Sequence, residues 1–169
     1  MGRHASALAD ELNVRGVRVR LDDNVVQGFG WRATDWDLQG VPIRVELGPR
    51  DLDEKAALLY RRDTREKNKV ALDTVADEAQ QLTDRIQMDM LDAATARRDA
   101  RISDCTTVDR APDVAQTGAA RLPWELVGTA GEQDLAASGV TVRCLQRNDG
   151  SLPETGHDAG VLAYVARAY

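Results

Sequence analysis

Val41-Pro42-Ile43-Arg44-Val45-Glu46-Leu47-Gly48-Pro49-Arg50-Asp51, followed by Lys55 to Arg61, reads as two strands and the turn between them. Ile43, Val45 and Leu47 alternate with Arg44 and Glu46, which is the period of a strand with one face on a core. Gly48-Pro49-Arg50-Asp51 breaks the run, and the second apolar stretch completes an antiparallel hairpin. A polar loop, Arg62 to Lys69, is expected after it.

Upstream, His4 to Asn13 has helical spacing, with Leu8 and Leu12 four apart among alanines. Gly16 ends that helix, and Val17 to Leu21 alternates like a strand before Asp22-Asp23-Asn24 turns the chain. A helix feeding a strand this closely belongs to an α/β layer, where a parallel strand normally precedes the helix. No such strand precedes it here, so a mixed sheet lacking its first strand is expected, with an exposed edge. Gly28 to Gly40 reads as a glycine turn and a short helix closed by Gly40. Trp31 and Trp36 within it are read as filling a core poor in aromatics, with stacking on bases as their alternative use. Downstream, Leu72, Val75, Ala79, Leu82, Ile86, Met90 and Ala93 recur at helical steps, predicting one long amphipathic helix from Asp73 to about Arg101. Residues 103–169 hold short strand-like pieces, Val140 to Leu145 and Val161 to Val165, and read as a small α+β subdomain.

The chain has 169 residues, 43% hydrophobic and 30% charged, a composition that folds around a core. Nothing approaches the roughly 20 apolar residues of a membrane span, and no signal-peptide core follows Met1, so a cytoplasmic protein is expected. Net charge is −6, but residues 1–70 carry 13 Lys/Arg against 12 Asp/Glu, whereas residues 71–169 carry 9 against 16. A polyanion would therefore meet the front half. Two cysteines, Cys105 and Cys144, are too few for a disulfide framework or a zinc knuckle.

Several ordered motifs then become specific. Gly30-Trp31, Asp35-Trp36-Asp37-Leu38, Gly40 through Asp51, and Arg61-Arg62-Asp63-Thr64-Arg65-Glu66-Lys67 resemble the anticodon-binding domain of archaeal/eukaryotic-type prolyl-tRNA synthetases. Val108-Asp109, Leu122-Pro123-Trp124, Gly139 through Cys144 and the closing Ala166-Arg167-Ala168-Tyr169 resemble that family's C-terminal extension, in order. The resemblance implies an anticodon-binding-like domain over 1–102, N-terminally incomplete, and the extension over 103–169. It implies that guanines of the proline-tRNA anticodon are read by Arg44, Glu46, Arg50, Asp51, Arg61, Arg62, Asp63 and Lys67. Those residue types suit guanine readout, since arginine forks pair with a guanine O6/N7 edge and carboxylates accept from its N1–H and N2–H₂. A solvated hairpin with ordinary ion pairs would carry the same residues.

Three departures qualify what the resemblance implies. The first strand is expected to be missing. The zinc ligands that the extension often carries are lost: Glu125 follows Trp124, and Thr155-Gly156-His157-Asp158-Ala159-Gly160 stands where a Cys-x-x-Cys-Gly would be. No metal and no cofactor are expected, and Cys105 and Cys144 are read as small core residues. Arg65 replaces a turn glycine, and Glu54-Lys55 shortens the hairpin link. The class II catalytic motifs are missing from these residues, so aminoacylation by the chain alone is not expected. Tyr169 is expected to dock on a separate catalytic body. The competing reading is a synthetase-derived scaffold repurposed in another, specialised-metabolism pathway, binding a small molecule or protein. Its pocket would lie near the missing strand or Thr155–His157, and catalysis would need His157, Cys144 or the Asp22/Asp23 pair. Homodimerisation through the exposed edge is compatible with either reading.

Overall fold

The computed structural model describes residues 2–155 and 159–167, so the expectations placed on His157 and Tyr169 lie outside the described residues. The chain forms two compact units, Met1–Asp92 and Ala93–Tyr169.

The first unit begins with helix α1 (Gly2–Val14). It closes at Gly16, whose φ of 81° lets Val17 N–H reach back to the Leu12 carbonyl at 3.0 Å. Helix α2 (Phe29–Leu38) ends in the same way at Gly40, with φ 86° and Val41 N–H donating to the Trp36 carbonyl. Strands β1 (Ile43–Glu46) and β2 (Ala56–Arg61) pair antiparallel as expected. A short helix, α3 (Pro49–Asp53), joins them instead of a tight turn. The expected loop over Arg62–Lys69 gives way to strand β3 (Lys67–Ala71), antiparallel to β2. Only Val70 of β3 turns inward, so its sequence shows no alternation. Arg65, in the turn before it, has φ 63°, the left-handed region that favours glycine.

Ala57 and Leu59 of β2 pack with Leu12 of α1 and with Val75, Ala76 and Ala79 of α4 (Val75–Asp99). Ile43, Val45, Val70, Val17 and Val19 close around them. Val17–Leu21 is extended, with Val17 and Val19 turned to this core, yet it joins no ladder among the described residues. β1 likewise pairs only with β2. A strand is defined by its partners, and periodicity alone places side chains without supplying those hydrogen bonds.

The second unit is a four-stranded sheet in the order β4 (Ile102–Asp104), β5 (Ala119–Pro123), β7 (Val161–Arg167), β6 (Val140–Arg147). Only β4 and β5 run parallel. Ala120, Leu122, Val140, Ala163 and Val165 meet Ala111 and Ala115, at and just beyond α5 (Ala111–Val114), and Val127 and Leu135 of α6 (Trp124–Ala137). Cys105 is buried, but Cys144 is exposed, which corrects the expectation that both are core residues. The register slips between Val142 and Cys144, and that bulge turns Cys144 outward.

Gly118 fixes the entry to β5. A Cβ there would lie 2.1 Å from the Arg101 carbonyl oxygen, the acceptor that takes Ala119 N–H at 2.8 Å and starts the parallel pairing. Gly118→Ala is expected to destabilise the second unit by about 2 kcal/mol, through displacement of that carbonyl. Urea unfolding followed by Trp124 fluorescence checks it; an unchanged midpoint would mean that the backbone relaxes freely.

Candidate nucleic-acid interface

The sheet of the first unit has two unlike faces because side chains alternate along each strand. Ile43, Val45, Ala57 and Leu59 face the helices of the core. The other face carries a cross-strand row, Arg44 opposite Tyr60 and Tyr60 opposite Lys67, with Glu46 beside it opposite Leu58.

Arg44 is the centre of that face. Its Nε donates to Glu46 Oε1 at 3.0 Å, and its Nη1 donates to Asp37 Oδ1 at 3.0 Å and to the Ala33 carbonyl at 3.3 Å. Its guanidinium lies 4.1 Å from the Tyr60 ring centroid and 5.9 Å from that of Phe29. The Tyr60 hydroxyl donates to the second Asp37 oxygen at 3.2 Å, and Lys67 Nζ stands 3.5 Å from Glu46. Ala33 and Asp37 are four apart on α2, so one helix face presents both to Arg44. With only 16% of its side chain exposed, Arg44 is held between two carboxylates over an aromatic ring. Among the described hydrogen bonds none uses its Nη2. The Nη2 donors that remain, beside carboxylates that accept, are groups of the kind that contact a nucleobase edge.

Of the eight residues singled out by sequence, Arg44, Glu46 and Lys67 come together here. Asp37, Tyr60 and Phe29 join them unforeseen, since contacts between elements leave no local pattern.

Arg61 and Asp63 sit elsewhere. Arg61 shares the core-side register of Ala57 and Leu59 and is 6% exposed. Its Nε and Nη2 donate to the two Asp63 oxygens at 2.7 Å each, and Nη2 also lies 2.8 Å from Asp89 of α4. That fork holds the Asp63 carboxyl below its ordinary value of 3.8. The Arg61 guanidinium is raised correspondingly, Asp63 being the main cause and Asp89 adding to it. Arg50 is exposed on α3, while Asp51 receives the Gly48 N–H at 2.9 Å and caps that helix. Arg62 is half-buried, and its Nε has no partner.

Asp22, one of the carboxylates considered for catalysis, is already engaged: it accepts Trp36 Nε1–H at 2.8 Å and lies 3.0 Å from Arg32. Burial raises its pKa, but those hydrogen bonds outweigh burial and leave it lowered. Among the described residues no group of three or more His, Cys, Asp or Glu is placed to hold a metal. The buried Cys105 and exposed Cys144 do not make a thiolate set.

This fold is that of an anticodon-binding domain, and the family profile described as "Anticodon binding domain" matches residues 2–82. The chain corresponds to the C-terminal region of prolyl-tRNA synthetases. It is 44% identical over 166 residues to the proline–tRNA ligase of Frankia casuarinae, covering 98% of this chain and 36% of the relative. Proline–tRNA ligase 2 of Streptomyces avermitilis is 44% identical over 161 residues, covering 95% and 34%. The prolyl-tRNA synthetase of Cryptosporidium parvum, solved with L-proline and AMP, superposes with a TM-score of 0.82 at 22% identity, over 99% of this chain and 37% of that one, and so shares its fold. The chain thus spans about a third of the length of the relatives it matches.

Proposed function

We propose that this protein binds proline tRNA by reading its anticodon guanines in the cytoplasm and does not by itself charge the tRNA. The observation that carries the reading is Arg44, clamped by Asp37 and Glu46 over Tyr60 with donors to spare. Lys67, Arg50 and Arg62 lie on strand, short helix and turn as further cations for the strand's phosphates, with Asp51 fixing the Arg50 helix. Arg61 and Asp63 act in the same interface as its support, by anchoring the β2 exit to α4. The test is fluorescence anisotropy with proline tRNA at fixed physiological salt, beside tRNA with its anticodon guanines replaced. Replacing each guanine is expected to weaken binding about tenfold. Equal binding of the two tRNAs would leave the ancestry a scaffold and turn the search to small molecules and protein partners.

A second reading concerns assembly. Among the described residues β1 pairs on one side only and Val17–Leu21 joins no ladder, so strand-pairing edges are open on both. Pairing of two copies along these edges would make a homodimer. Light scattering that finds only monomer at all concentrations removes it.

A further inference from the structure

The opposite side of α2 holds a separate constellation. Asp22 ties the turn before the helix to Trp36 and Arg32, and the Asn24 N–H donates to Asp22 at 3.1 Å. Between turn and helix lies a shallow cavity lined by Asp22, Asn24, Trp31, Arg32, Asp35 and Trp36. Trp36 and Trp124 are half-buried, but Trp31 is 58% exposed, so one large apolar ring stands in solvent at the rim. The polar walls are not all spent. Asn24 Oδ1 accepts from Val26 N–H at 2.9 Å, while its amide donors have no partner among the described contacts. Arg32 Nε is buried without one. Arg44 uses Ala33 and Asp37, so the two sites share a helix but no side chain.

We propose that this cavity is a second nucleobase site, taking an unstacked base next to those read at Arg44, on the same RNA strand. The inference rests on the tRNA reading above. The base stacks on the Trp31 indole, a contact open to any base because each presents a π face. Its polar edge meets the Asn24 amide and Asp35 Oδ1, the carboxylate oxygen that the Gln39 amide does not take. A phosphate is disfavoured there, because Arg32 is already neutralised by Asp22 and Asp35 adds negative charge. The site therefore contributes affinity and strand direction, and leaves guanine discrimination to Arg44.

The experiment compares wild type, Trp31→Ala and Trp31→Phe for proline-tRNA affinity at fixed salt, with melting temperature and tryptophan quenching measured on the same samples. Trp31→Ala is expected to weaken binding about tenfold with the ratio between normal and guanine-replaced tRNA unchanged. Trp31→Phe restores most of the affinity, since a ring remains, and loses most of the quenching that tRNA causes in the wild type. Wild-type affinity in Trp31→Ala, with guanine discrimination intact, overturns this site and leaves the anticodon reading standing. Loss of affinity together with a lowered melting temperature assigns Trp31 to the fold and also overturns it. Absence of guanine discrimination in the wild type itself sinks the anticodon reading first, and this site with it.

Discussion

Arg61→Ala is expected to lower the unfolding free energy of the first unit by about 3 kcal/mol, because a buried cation disappears from between two carboxylates. The Arg61 side chain is 8% exposed, Asp63 23% and Asp89 50%. The Asp89 contact is therefore screened by solvent and contributes little, and most of the loss comes from the two-pronged bond to Asp63. Truncation also leaves a void at the end of β2, where Arg61 N–H holds the Glu66 carbonyl at 2.9 Å. The pH dependence follows from Asp63. Its folded pKa is below the ordinary 3.8, so the native state binds fewer protons there than the unfolded chain does. The stabilisation is complete above the ordinary carboxylate range and is lost as pH falls through the depressed folded value. Wild type and variant should thus differ most in urea unfolding at pH 7, and the difference should shrink in strong acid to the part that comes from the void. A variant as stable as wild type that nevertheless loses tRNA would mark Arg61 as an RNA contact rather than an anchor.

The same pair shows what sequence periodicity reveals and what it does not. Arg61 and Arg62 are neighbours, and a period of two sends neighbours to opposite faces, so the strand pattern carried a warning against placing both on one surface. Arg44 and Glu46 stand two apart and do share a face, as that rule implies, while their expected part in guanine readout came from the resemblance alone. Helices α1 and α4 were legible from their apolar steps, and the short α2 from the glycines that bound it. β5 was hidden because Ala119-Ala120-Arg121-Leu122-Pro123 is small, short and closed by proline, and α6 because Gly128 and Gly131 depress its helical signal. Gly128, with φ 52°, kinks that helix. Asp37 escaped for another reason: its role is a contact between helix and sheet, and no spacing along one chain segment encodes that.

Arg44→Lys is expected to weaken proline-tRNA binding about a hundredfold while costing the fold much less, because charge is retained and fork geometry is lost. The ammonium cannot reach Glu46, Asp37 and the Ala33 carbonyl together, as the guanidinium does through Nε and Nη1. A lysine that pairs with one carboxylate leaves the other facing the incoming strand, so the loss combines a missing guanine contact with uncompensated negative charge near phosphates. That combination is why the substitution should exceed the roughly tenfold cost of replacing one guanine, where the cluster stays neutralised. Affinity measured for the variant and wild type against normal and guanine-replaced tRNA forms a double-mutant cycle. If Arg44 reads a guanine, the variant should no longer distinguish the tRNA altered at that guanine from the normal one. If instead it weakens both tRNAs by the same factor, Arg44 only braces Asp37 and Tyr60, and the reading groups must be sought among Arg50, Arg62 and Lys67.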